Sequence, residues 1–296
     1  ILIKDGFFKY ENFDDVKTLK TNSNFNDNLN IKNLKLDDFK ISFMDYNSIV
    51  DFEIADLRLI DHKISLKIKD SEIDLKDNQN FKKINATVNI DDNNIKLKGL
   101  SIALDNSFLD GNLFVKNFND FESLKFEGDI TNKSKVTSSD FIDGSAENSF
   151  NFNVKFKGDL NKIFLNEFEL RNDKTNILAA LEIKNPFDKS KYDLNVDFTE
   201  FSSVSTEISN TFPEIFGSYI PSSLQSIGKF KLIGSFIYSN EKIVSDFELY
   251  NNKGNIYSSL IISEFENIDN ASYTGLFKGN EIDLSNFISI PFLGKS

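Results

Sequence analysis

Residues 247–263, FELYNNKGNIYSSLIIS, alternate apolar and polar side chains, break at Asn251, Asn252, Lys253 and Gly254, and alternate again. Alternation on both sides of a turn is the pattern of a β-hairpin with one apolar and one wet face. Nearly the same hairpin stands 79 positions earlier, in FELRNDKTNILAALEIKN at 168–185. The fold therefore turns on what repeats and on what the apolar face meets.

Sliding the chain by 79 sets Phe168, Leu170, Asn172, Lys174, Asn176, Ile177, Leu181 and Ile183 on Phe247, Leu249, Asn251, Lys253, Asn255, Ile256, Leu260 and Ile262, without a gap. Leu194, Val196 and Phe198 then fall on Tyr273, Gly275 and Phe277. A slide of 68 brings an earlier segment under the middle copy: Leu100, Ile102, Leu109, Leu113, Val115, Lys116, Asn117, Leu124, Phe126 and Ile130 match Phe168, Leu170, Ile177, Leu181, Ile183, Lys184, Asn185, Tyr192, Leu194 and Phe198. Three copies of one three-stranded meander are expected, at about 100–130, 168–198 and 247–277.

More alternating segments lie between the copies, SFNFNVKFKGDL at 149–160 and GKFKLIGSFIY at 228–238. Upstream, residues 34–75 read as four or five short strands, and 1–95 as a run of meander repeats. The 31 Phe and the recurring Asn, Asp, Gly and Lys clusters suit strands and their turns. Only 199–228 departs from this, with Val204, Ile208, Phe212 and Ile215 at helical spacing. One or two short helices are expected near 202–227, with Ser202 or Ser203 as cap and Pro221-Ser222-Ser223 opening a second turn. The expected architecture is all-β: one continuous, elongated antiparallel meander, curled by twist into an open hydrophobic groove.

Composition narrows the function. The chain has 296 residues, 40% hydrophobic and 27% charged, which supports a sizeable core. His62 is the one histidine, and Cys and Trp are absent, which removes most residues of metal, thiol and imidazole chemistry. A net charge of −12 with scattered Lys and Arg opposes nucleic-acid binding. No apolar run approaches the ~20 residues of a membrane-spanning helix, and ILIKDGFFKYENF has no signal-peptide layout. Either the chain is soluble throughout or an anchor lies outside it, and the mid-strand start and the stop at PFLGKS favour a fragment. Asp14-Asp15 and Asp91-Asp92 read as turn residues, His62 as a strand residue, and no Gly-rich phosphate loop or Ser-His-Asp set is present. No enzyme, metal or cofactor is expected.

The inward positions of the alternating segments are the candidate lining: Leu100, Ile102, Leu113, Val115, Leu124 and Phe126 in the first copy; Phe152, Val154 and Phe156; Phe168, Leu170, Ile177, Leu181, Ile183, Leu194, Val196 and Phe198 in the second; Phe230, Leu232 and Phe236; and Phe247, Leu249, Ile256, Leu260 and Ile262 in the third. Repeats stacked edge to edge grow in one dimension, about 4.8 Å per strand, so ~18 strands would span roughly 85 Å.

The hairpin unit with its trailing segments, NKSKVTSSDFIDG at 132–144 and FKGNEIDLSNFI at 277–288, together with IPSSLQSIGKFKLIGSF at 220–236, resembles the periplasmic AsmA-like proteins. It is most similar to the TamB branch of Bacteroidetes-type bacteria. The resemblance implies a β-groove anchored in the inner membrane and reaching toward the outer membrane. It also implies phospholipid or another acyl-chain lipid as cargo, and an outer-membrane β-barrel of the assembly machinery as a partner.

Three other readings remain open on the residues. An outer-membrane β-barrel would have strands of about 9–11 residues with Trp and Tyr girdles, whereas these alternations mostly run roughly five to eight. An extracellular β-repeat binding module or adhesin stalk would have a filled core. A carbohydrate-active β-sandwich or β-helix would pair its carboxylates.

Overall fold

A computed structural model of the chain describes residues 2–4, 7–10, 28–43, 46–60, 63–75, 80–91, 93–132, 136–137, 140, 149–188, 190–207, 228–252, 254–264 and 272–280. Contacts divide it into two units, Ile1–Val136 and Thr137–Ser296. His62, Asp14, Asp15 and Asp92 lie outside the described residues, as do 208–227, which hold most of the expected helical insertion.

In the first unit, β1 (Leu2–Lys4) and β2 (Phe7–Tyr10) lie parallel to β3 (Asn28–Phe43). From β3 onward each strand pairs antiparallel with the next: β4 (Tyr46–Ile60), β5 (Lys63–Leu75), β6 (Asn80–Asp91), β7 (Asn94–Ala103), β8 (Phe108–Lys116) and β9 (Lys125–Asn132). Residues 34–75, expected as four or five short strands, thus belong to three long ones. Breaks in the alternation look like strand ends, but they are bulges within continuous strands. Asp56, Asp70, Lys83 and Gly99 each take a positive φ at such a bulge. Side chains of the neighbouring strand satisfy the freed backbone there: the Asp70 N–H donates to Asn85 Oδ1 at 3.2 Å and the Gly99 N–H to Asn112 Oδ1 at 3.2 Å.

A two-residue strand, β10 (Val136–Thr137), precedes the second meander. That meander comprises β11 (Ser149–Gly158), β12 (Lys162–Arg171), β13 (Asn176–Lys184), β14 (Asp193–Val204), β15 (Lys229–Tyr238), β16 (Lys242–Asn251), β17 (Gly254–Ser263) and β18 (Ser272–Asn280). Each of these eight pairs antiparallel with the next. Strands of nine to twelve residues exceed the expected five to eight; in β12 and β14, bulges at Asn166 and Thr199 let the strand continue through a change of phase. Ser202, Ser203 and Val204 end β14, and helical residues begin at Ser205 and run to Glu207. Neither Ser202 nor Ser203 caps a helix. The Ser203 hydroxyl is instead 2.7 Å from that of Thr175, both buried.

The described residues thus form an all-β meander, open and uncurled, antiparallel except where β1 and β2 meet β3, with almost no helix. The expected curling does not appear. Twist between paired strands does not by itself close an open sheet into a trough.

One turn recurs in both units. Asn117 and Asn185, which the slide of 68 makes equivalent, both adopt a positive φ, 56° and 49°. Each donates its side-chain amide to the carbonyl six residues on, Asn117 to Ser123 at 3.1 Å and Asn185 to Lys191 at 2.8 Å. In each, the backbone carbonyl accepts from the N–H three residues on, Asp120 and Asp188. Asn tolerates this left-handed conformation better than other non-glycine residues, and so it closes the hairpin.

Candidate functional site: an uncharged sheet face

Residues directly opposite one another in an antiparallel pair point to the same face, so the registers of the second unit can be read across it as rows. One row runs Phe152, Leu170, Ile177, Phe201, Leu232, Leu249, Ile256, Gly279. The next runs Val154, Phe168, Ala179, Phe198, Gly234, Phe247, Ser258, Phe277. The third runs Phe156, Leu165, Leu181, Val196, Phe236, Ser245, Leu260, Gly275, and the fourth Gly158, Ile163, Ile183, Leu194, Tyr238, Ile243, Ile262, Tyr273. Not one of these positions carries a charge. Four rows across eight strands cover roughly 20 Å by 34 Å.

Every candidate named from the sequence in this unit lies on that face. Phe230 adds to it beyond the first row, opposite Ser203. In the first unit, Val115 and Phe126 close a row of their own with Leu59, Ile64, Ile90 and Ile95. Leu113, Leu100 and Ile102 share that face, opposite Leu97, Gly111 and Leu109, and Leu124 sits half-buried one residue ahead of β9. Sequence alternation misses Leu165 and Phe201, among others. Both stand three residues from another inward side chain, Phe168 and Phe198, because a bulge lies between, and strict alternation overlooks that spacing.

The face has a tight centre and loose margins. Ile177, Ala179 and Val196 are buried, with Phe168, Leu170, Leu181, Leu194, Phe198, Phe201 and Phe236 packed against them. Edge-on aromatic contacts join neighbouring strands, Phe152 to Phe168 at 5.9 Å and Phe201 to Phe230 at 5.5 Å between ring centres. Of the four rows, only Val154, Ile177, Ala179, Val196, Ile256 and Ser258 are buried; the remainder keep part of their surface open. A second sheet packed at about 10 Å would bury the central rows outright. On β18 every residue is exposed, with Tyr273 and Phe277 both at 62%.

The opposite face is where the charges are. Lys155 pairs with Glu167 at 2.7 Å, Lys162 with Glu182 at 2.7 Å, Arg171 with Glu169 at 2.9 Å and Lys231 with Glu200 at 3.3 Å. The Glu200 carboxylate accepts from Asn176 Nδ2 at 2.7 Å and from Ser202 Oγ at 2.8 Å, and these bonds, the Asn176 one foremost, hold its pKa below the ordinary glutamate value. Such exposed pairs add little stability, but they fix which side is wet. That side still carries Ile233, Ile237 and Ile261, each exposed by about two-fifths. Among the described residues, no three His, Asp or Glu side chains gather as metal ligands do.

Comparisons with protein-family models, curated proteins and solved structures return no match.

Proposed function

We propose that this chain is a non-enzymatic lipid-handling segment whose uncharged sheet face takes up the acyl chains of phospholipid. The observation that carries the reading is the four-row face of the second unit, free of Asp, Glu, Lys and Arg side chains across eight strands and left partly open. An acyl chain needs no hydrogen-bonding partner. It gains about 0.8 kcal/mol for each CH₂ removed from water, so a chain of ~16 carbons gains roughly 13 kcal/mol as an upper bound. A wall of Phe, Leu, Ile and Val holds it in no fixed orientation, which suits passage better than storage.

Together with the resemblance to AsmA-like proteins, this gives a setting. The chain is part of a periplasmic envelope-biogenesis protein, held by an inner-membrane anchor. It carries or shelters phospholipid on the way to the outer membrane, or assists outer-membrane protein assembly beside a β-barrel partner.

A native mass spectrum of protein purified without detergent tests the reading. Phospholipid retained on the folded chain, and displaced by excess fatty acid, is the expected result. Lipid-free protein that also takes up none from vesicles overturns it.

A further inference from the structure

The wall itself fixes no orientation of an acyl chain, but its two ends along the strands differ. The first three rows hold no tyrosine, whereas the fourth holds Tyr238 and Tyr273. Tyr192, two residues ahead of Leu194, brings its ring to 6.3 Å from that of Tyr238, and both are half-buried. The turns at this end are tied to each other. Asn185 closes the β13–β14 turn on the Lys191 carbonyl at 2.8 Å, and Asn240, just after β15, donates its side-chain amide to the Ser190 carbonyl of that turn. Phe187, in the same turn, is 66% exposed.

The opposite end is closed. Thr175 and Ser203, beyond the first row, are buried with their hydroxyls 2.7 Å apart, and the N–H of buried Ser205 donates to the Gly228 carbonyl at 2.9 Å.

We infer that phospholipid lies along the strands of this face, with its headgroup end at a collar formed by Tyr192 and Tyr238 and its methyl ends toward Thr175 and Ser203. Tyrosine favours the level at which hydrocarbon gives way to water, because its ring is apolar and its hydroxyl is not. Length fits as well. The acyl chains of one leaflet span about 15 Å, half of a hydrocarbon core of ~30 Å, and the four rows cover roughly 20 Å along the strands. A chain laid across the strands leaves its headgroup over uncharged wall at most positions of the roughly 34 Å breadth. Laid along them, it keeps the headgroup in water beyond the fourth row and can step sideways from strand to strand. Burial, and then the neighbouring Tyr238, raise the Tyr192 pKa above the ordinary tyrosine value, so that phenol stays a hydrogen-bond donor at neutral pH. The inference rests on the lipid reading and adds a direction to it.

The chain has no tryptophan, so a single introduced one is a clean fluorescent reporter. Tyr238→Trp keeps an interfacial ring at the collar. Phe201→Trp stands in the first row opposite Leu232, roughly 20 Å from Tyr238 along β15. Each variant is loaded from vesicles of phosphatidylcholine that carries a nitroxide either near the ester or at the methyl end of its acyl chain, and the vesicles are removed before the fluorescence is read. For Tyr238→Trp, roughly threefold stronger quenching by the ester-end label is expected, and for Phe201→Trp the reverse order. Leu232→Trp serves as the far reporter if Phe201→Trp fails to fold. Equal quenching by the two labels at both sites, or the opposite order, overturns the orientation and leaves lipid uptake standing. No quenching of the folded variants by either label removes the lipid reading and this inference with it.

Discussion

The two halves of the second meander, β11–β14 and β15–β18, contribute to the same four rows and differ in what fills them. On the four rows the first half has one glycine, Gly158, and otherwise apolar side chains. The second half puts Gly234, Ser245, Ser258, Gly275 and Gly279 among its apolar residues. Ile177, Ala179 and Val196 form a buried cluster in the first, whereas the counterparts of Ala179 and Val196 are Ser258 and Gly275. The same four-row pattern thus supports a wall that packs on itself and a wall that leaves room. Apolar patterning alone makes a sheet face; the volume of each side chain decides whether that face is a core or a surface.

A charge placed on each wall tests this most strongly. Leu181→Asp puts a carboxylate against the buried cluster beside Val196, and a loss of about 3 kcal/mol or more is expected. Leu260→Asp at the equivalent place has Ser245 and Gly275 beside it and can be hydrated; about 1 kcal/mol is expected. Urea unfolding midpoints of the two variants measure the gap, and equal losses would break the comparison. With Leu260→Asp folded, its lipid uptake can be read without the confound of unfolding, and it should fall.

Backbone geometry gives a smaller effect. Gly234 has φ of +138°, and a Cβ there would clash with the Asp246 carbonyl oxygen in β16. The place it takes in the row is that of Val154 in β11, where a side chain fits. Gly234→Ala should cost about 2 kcal/mol in the same unfolding assay. An unchanged midpoint would mean that the strand relaxes freely, and that glycine there is a matter of wall volume alone.

The smallest effect is a gain. Glu264 comes directly after β17 as Asn185 does after β13, and it holds the same left-handed conformation with φ of 56°. Glutamate tolerates that region less well than asparagine. Glu264→Asn should therefore raise stability by about 0.5–1 kcal/mol, visible as a higher melting temperature. Any loss would show that the third hairpin closes differently from the first two.

Much of this is legible in the sequence, and the limits have physical causes. Period-two alternation places Phe168, Ile177, Leu249 and Leu260 on one side without any knowledge of pairing, since register is set by which face is apolar. The slide of 79 anticipates cross-strand equivalents such as Leu181 and Leu260. Strand length is misjudged wherever a bulge shifts the phase, as between Leu165 and Phe168 or Leu97 and Leu100. The parallel pairing of β1 and β2 on β3 is not legible either, because alternation carries no direction. Whether the apolar face is covered depends on packing across the sheet, which one chain's pattern does not encode.

Leu260 and Ile261 give the most direct test of the central claim. They are neighbours in β17 on opposite faces, Leu260 in the uncharged rows and Ile261, 42% exposed, on the charged side. A photo-reactive benzoylphenylalanine at either position, irradiated with the protein mixed with phosphatidylethanolamine–phosphatidylglycerol vesicles, reports which face meets acyl chains. Lipid adducts at position 260 and essentially none at 261 are predicted. Equal labelling, or none at 260 with the protein folded, would contradict lipid uptake by this face.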